Sequence, residues 1–148
     1  MYLEKQFNKH TLMDMNTIYL TQKDYQRLHS LVLAQRGING PQAVEALSRE
    51  LKRARVVPSE EIPVDVVTMN SLVKLKDLKS SAVMEITIVY PKDADLASRK
   101  VSILAPVATA VLGCRVGDEV EWPAPQGTVK YKVEEIIYQP EAAGDLNL

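Results

Sequence analysis

Between Thr21 and Arg55 apolar residues recur at alternating intervals of three and four: Tyr25, Leu28 and Val32, then Val44, Leu47, Leu51 and Ala54. That is the period of one face of an α-helix. Thr21 suits an N-cap, Gly37 a C-cap, Asn39 and Gly40 a turn, and Pro41 the first position of a second helix, where its missing N–H is harmless. The spacing predicts two helices, the second running to about Arg55, packed antiparallel with their apolar seams facing as a short coiled coil. Residues 1–20 show no sustained period and are assigned as an N-terminal arm, in which NTIYL (16–20) reads as a short strand. The helical hairpin is assigned to 21–57, and VVPSEEIPVD, with Pro58 and Pro63, supplies a linker at 58–63.

From residue 64 to 148 the period changes to two. Val83 and Glu85 alternate with Met84 and Ile86, and Val129, Tyr131 and Val133 with Lys130, Lys132 and Glu134, as in half-buried antiparallel strands. PVATAVLG, from Pro106 to Gly113, is instead small, apolar and compact, the signature of one short helix. The fold class that follows is α+β: a helical hairpin, then an antiparallel sheet packed on a short helix.

Composition narrows this picture without changing it. The chain has 148 residues, 46% apolar, 25% charged and net charge −1, enough for one ordinary core and with no global attraction to nucleic acid or an anionic membrane. Charge is nonetheless segregated, because residues 21–57 carry seven Lys or Arg against three Asp or Glu, leaving the rest acidic. One cysteine and no apolar run suited to a signal peptide or to the roughly 20 residues of a membrane span predict a reduced, cytoplasmic setting.

Candidate chemistry is sparse. Cys114 would need a base and a positive field to act as a nucleophile, and His10 and His29 lie in other segments, so a structural role is expected. Asp93 and Asp95 have the D-x-D spacing of a metal loop but lack the glycine and glutamate of a calcium loop; a solvated loop or a contact with a basic partner remains. RELKRAR (49–55) sets Arg49, Lys52 and Arg53 on one helical face, and Glu45 stands four residues before Arg49. That face is either solvated or suited to an acidic protein or a phosphate backbone. Leu33 is apolar but lies off the seam. No phosphate loop, H-E-x-x-H or C-x-x-C occurs, so no catalytic residue, cofactor or metal is assigned.

Residues 102–127, SILAPVATAVLGCRVGDEVEWPAPQG, resemble the C-terminal domain of the Gre transcript-cleavage factors: a strand, a Ser-Pro-like pair, a small-residue helix ending in Gly, then Gly-Asp and a Pro-x-Gly hairpin. The matching pieces are Ala105-Pro106, Val111-Leu112-Gly113, Gly117-Asp118 and Pro125-Gln126-Gly127. PVDVVTMNSLVKLKDL and YQPEAAGDLNL further resemble the family of regulators of nucleoside diphosphate kinase (Rnk).

This resemblance implies an FKBP-like body and a partner, bacterial RNA polymerase, bound near the rim of its secondary channel. It points to Ala105, Pro106, Asp93 and Asp95 as partner-binding positions, with the family's serine replaced by Ala105. Direct contact with nucleic acid is allowed but not required. Gre factors use acidic residues at the tip of a much longer coiled coil to help hold a catalytic metal; here the tip, Arg36, Gly37, Ile38, Asn39 and Gly40, holds no carboxylate. A helix of about 14 residues reaches only roughly 20 Å. The expectation is a non-enzymatic transcription regulator that competes with Gre-type factors. The alternatives are an FKBP-like peptidyl-prolyl isomerase, for which residues 64–148 offer only Tyr90, Trp122, Tyr131 and Tyr138 as pocket aromatics, and a direct regulator of nucleoside diphosphate kinase.

Overall fold

The computed structural model describes residues 18–35 and 41–145. Of the expected arm over 1–20 only 18–20 are described, and the tip Arg36–Gly40 lies outside the described residues. Two helices, α1 (Gln22–Gln35) and α2 (Pro41–Lys52), follow a two-residue strand β1 (Tyr19–Leu20). Thr21 caps α1, its hydroxyl accepting from the Asp24 amide at 3.2 Å. The seam residues Leu28, Val32, Val44, Leu47 and Leu51 are all buried, and Tyr25 and Ala54 pack half-buried beside them.

The second helix stops short of its expected end at Arg55. After Lys52 the chain tightens, with Ala54 N–H donating to the Leu51 carbonyl at 3.1 Å, and Arg55–Val56 becomes β2, parallel to β1. A long-range ladder outcompetes the local period here: Ile18 and Leu20 carbonyls accept from Arg55 and Val57 amides at 2.8 and 2.9 Å, and Pro58 prevents the helix from continuing. Within the described residues, the strand expected over 16–20 is Tyr19–Leu20.

The body is a five-stranded sheet in the order β5-β4-β3-β7-β6, formed by β3 (Leu72–Asp77), β4 (Val83–Val89), β5 (Lys100–Ser102), β6 (Glu119–Ala124) and β7 (Gly127–Tyr138). It is mixed, which corrects the expectation of an antiparallel sheet: β5 runs parallel to β4, Thr87 beside Lys100 and Val89 beside Ser102. Alternation reports which face a side chain takes but not strand direction. Two 3₁₀ turns, Pro91–Asp93 and Leu96–Ser98, carry the chain back beside Thr87 before β5 begins.

Register shifts between β3 and β7 at Leu72/Val73 and Lys74/Leu75 curl the sheet. Its inner face carries Val73, Leu75, Ile86, Ile88, Val120 and Val133. The opposite face carries a ladder of ion pairs such as the exposed Lys74–Glu135 at 3.5 Å and Lys130–Glu121 at 3.9 Å, in which Glu121 is half-buried; a surface pair of this kind is worth at most about 1 kcal/mol.

The short helix α3 (Pro106–Val111) forms where the small-residue run predicts it and packs against β6 and α2. Thr109 Oγ1 donates to the Ile103 carbonyl at 2.5 Å, and Ala108, Ala110, Val111 and Leu112 are buried. At Gly113 the backbone takes φ +82° and Ile18 packs directly on its Cα. The buried apolar cluster therefore runs unbroken from α1 and α2 into the sheet. Residues 58–63 are held as well: Ser59–Glu61 forms a 3₁₀ turn, Ile62 is buried, and the Gln139 amide donates to the Pro63 and Val66 carbonyls at 2.8 and 2.7 Å. Gln139 itself caps the last helix, α4 (Pro140–Ala143), accepting from Ala142 N–H at 3.1 Å.

Candidate functional site

The four positions expected to meet a partner fall on one edge of the sheet. Asp93 and Asp95 lie in the connection between β4 and β5, and Ala105 and Pro106 follow β5 directly, at the start of α3. The edge strand is closed to further strand pairing at both ends. Asp95 and Lys100 exchange two backbone hydrogen bonds at 2.9 Å, and the Ser102 carbonyl accepts from Ala105 N–H at 2.9 Å. The edge therefore offers side chains rather than a free strand.

Both carboxylates are engaged within their own loop. Asp93 pairs with Lys92 at 3.0 Å. Asp95 caps the Leu96–Ser98 turn, accepting from Ala97 N–H at 3.2 Å and Ser98 Oγ at 3.0 Å. Ala105 is the N-cap of α3 and provides no side-chain bond there, while Pro106 takes the first turn and is exposed. A serine at 105 could cap this helix, a contribution of about 1 kcal/mol that alanine forgoes.

Three residues of this edge were not singled out by the sequence. Leu96 is 82% exposed at the crest of the loop. Arg99 adopts the left-handed conformation, φ 59°, where glycine would cost about 1 kcal/mol less. Lys100 is exposed beside it. An isolated leucine inside the polar run DADLASRK was the available signal.

The other candidates are dispersed. Cys114 is buried, its thiol donating to the Ala110 carbonyl at 3.3 Å, and Arg115 is drawn away from it to Asp65 at 2.9 Å and to the Tyr19 ring. On the basic helical face Arg53 pairs with Glu50 at 3.3 Å and Lys52 is exposed. Leu33 is 56% exposed. The four body aromatics do not converge: Trp122 and Tyr131 stack on each other, the Tyr90 hydroxyl donates to Asp24, and the Tyr138 hydroxyl donates to Asp145.

The Asp24–Tyr90 bond, 2.6 Å and buried, ties α1 to the end of β4, with the Arg27 guanidinium over the Tyr90 ring. Asp24 also borders a cleft of about 540 Å³ shared with Glu141, which accepts from Thr68 Oγ1 at 2.7 Å. Burial pushes both carboxyls above their usual range; the Tyr90 hydroxyl, Arg27 and Lys23 hold Asp24 back, and the Thr68 hydroxyl holds back Glu141. Burial and the Asp24 carboxylate push the Tyr90 hydroxyl far up, so it stays a donor.

A raised carboxyl takes up its proton more readily in the folded state, so stability from Asp24 grows as pH falls from the raised value toward the ordinary range. Asp24→Asn, which keeps an acceptor for Tyr90, should flatten that part of the pH profile. Tyr90→Phe should lower stability at neutral pH by about 2–3 kcal/mol, because it strips a buried carboxylate of its donor. The loss should shrink in mild acid. Urea unfolding at several pH values checks both; a Tyr90→Phe protein as stable as the parent would show that the bond contributes nothing.

Comparison with known proteins places this geometry. Residues 62–138 match the family described as "Transcription elongation factor, GreA/GreB, C-term", and residues 16–57 match "Rnk N-terminus". A solved structure titled "Prokaryotic transcription elongation factor GreA/GreB from Nitrosomonas europaea" is 43% identical, covering 82% of this chain and 99% of that one at a TM-score of 0.71. "Transcription elongation factor GreA" of Syntrophomonas wolfei is 38% identical over 88 residues, 60% of this chain and 55% of that protein. "Regulator of nucleoside diphosphate kinase" of Escherichia coli (strain K12) is 42% identical over 134 residues, 90% of this chain and 98% of the relative. With both segments matched in order and nearly the whole length shared, the chain belongs to the family of regulators of nucleoside diphosphate kinase and carries a Gre-type C-terminal region.

Proposed function

We propose that this protein is a cytoplasmic transcription regulator that docks on bacterial RNA polymerase at the rim of the secondary channel and competes there with Gre-type factors without stimulating transcript cleavage. The observation that carries the reading is the split match. The Gre-type segment, 62–138, contains the whole edge from Pro91 to Pro106, whereas the helical segment before it matches a different family. Between those helices RGINGPQ supplies no oxygen ligand for a metal. On this reading the two helices form a short antiparallel hairpin, the body from 64 onward is FKBP-like in outline, and Asp93, Asp95, Ala105 and Pro106 border the polymerase contact.

The test is co-purification of the full chain with core polymerase at low salt. Co-migration in gel filtration is expected, and failure to bind core enzyme would end this reading. The name of the E. coli relative supports a second reading, direct contact with nucleoside diphosphate kinase. The same experiment with that kinase in place of polymerase is expected to show two separate peaks.

A further inference from the structure

We infer that the crest of the β4–β5 loop is a preformed anchor: Leu96 enters an apolar pocket of the partner, and Arg99 and Lys100 meet carboxylates at that pocket's border. The inference rests on the polymerase reading and specifies the chemistry of its contact, with core polymerase as the occupant.

The crest is stiff before any partner arrives. Backbone bonds close it at Asp93–Tyr90, Ser98–Asp95 and Arg99–Leu96, and the reciprocal Asp95–Lys100 pair seals its base. With its backbone braced in this way, a large apolar side chain held 82% exposed can be buried with little further loss of backbone freedom, which lowers the cost of binding.

Charge decides what surrounds the pocket. Sequence alone suggested an acidic loop facing a basic surface, but Asp93 is paired with Lys92 and both oxygens of Asp95 serve the loop itself. Arg99 and Lys100 are exposed beside Leu96, and with Lys92 they outnumber the loop's two carboxylates, Asp93 and Asp95. Arginine is also held in a backbone conformation that favours glycine, as expected if its guanidinium is needed at that point. The complementary partner surface is therefore apolar at its centre and acidic at its border.

The experiment measures binding of the full chain to core polymerase by biolayer interferometry at two salt concentrations. Leu96→Ala should weaken binding at least about tenfold at both, since burial of an apolar side chain is not screened. Arg99→Gly combined with Lys100→Gln keeps the loop backbone and should weaken binding by a similar factor at low salt and much less at high salt. Asp93→Asn should change affinity less than about twofold. Thermal melts of Leu96→Ala and Asp93→Asn should match the parent, because both side chains are exposed, and the Arg99→Gly, Lys100→Gln variant should melt no lower, because glycine relieves the left-handed strain at 99. If the parent binds and Leu96→Ala binds equally well, the anchor is wrong while the polymerase reading stands. If Asp93→Asn is the damaging change, the contact has the opposite charge to that inferred. If the parent does not bind at all, both fail together.

Discussion

Gly113→Ala should destabilise the fold by roughly 3–4 kcal/mol, combining strain at positive φ with overpacking of the core. At φ +82° an alanine is already strained, and its Cβ would overlap the Ile18 side chain. Neither side can move cheaply. Gly113 N–H is bonded to the Val67 carbonyl at 2.9 Å, and the Ile18 carbonyl accepts the Arg55 amide that closes the β1–β2 ribbon. The damage should reach the seating of the helices on the sheet, since this is where the two meet.

A double-mutant cycle separates the causes. Ile18→Ala alone should cost about 2–4 kcal/mol through lost burial. Paired with Gly113→Ala, the combined loss should fall at least about 1 kcal/mol short of the sum, because alanine at 18 removes the closest overlap, that with Cγ2, and leaves only the tight approach of its own Cβ. Strict additivity would mean that the overlap with Ile18 Cγ2 carries none of the cost. A Gly113→Ala protein as stable as the parent would contradict the packing described for Ile18.

In stalled elongation complexes the full chain at saturation should leave intrinsic transcript cleavage unchanged and reduce Gre-stimulated cleavage to near the unstimulated rate. On the proposed mode of docking, two proteins with the same edge cannot occupy one rim. The lack of stimulation has two origins in the chain: RGINGPQ offers no carboxylate to share in metal-assisted phosphoryl chemistry, and α1 and α2, 14 and 12 residues long, extend only about 20 Å. Ile38→Asp with Asn39→Glu supplies the carboxylates without the length. That variant should still compete and still fail to cleave. Vigorous cleavage by it would leave the missing carboxylates as the sole obstacle, and cleavage by the parent would overturn the non-enzymatic assignment.

Much of the architecture was legible along the chain because it is local. The three-four seam of Leu28, Val32, Val44, Leu47 and Leu51 fixes two helices whichever neighbours they find, and Pro106 to Gly113 can form little else than a short helix. Alternation in β4 and β7 likewise set which residues share a face, Ile86 with Met84 and Val133 with Tyr131, and Ile86 and Val133 are buried. The ordered string from Ala105-Pro106 to Pro125-Gln126-Gly127 was enough to indicate a Gre-type region.

What escaped depends on partners distant in sequence. Nothing in Arg55–Val56 announces a strand, since its mate Tyr19–Leu20 lies more than thirty positions earlier. The direction of β5 is set by two 3₁₀ turns that no alternation encodes. Asp24 sits in what reads as an ordinary first helical turn, yet its carboxyl is buried because Tyr90, just past β4, closes over it. The candidate edge divides the same way. Periodicity and motif determined by themselves which residues would be apolar, helical or extended, because those depend on neighbours a few positions apart. Only the tertiary structure decided that Asp93 and Asp95 are taken up within their own loop and that Leu96, Arg99 and Lys100 are left facing outward, because a side chain's availability depends on what the folded chain places beside it.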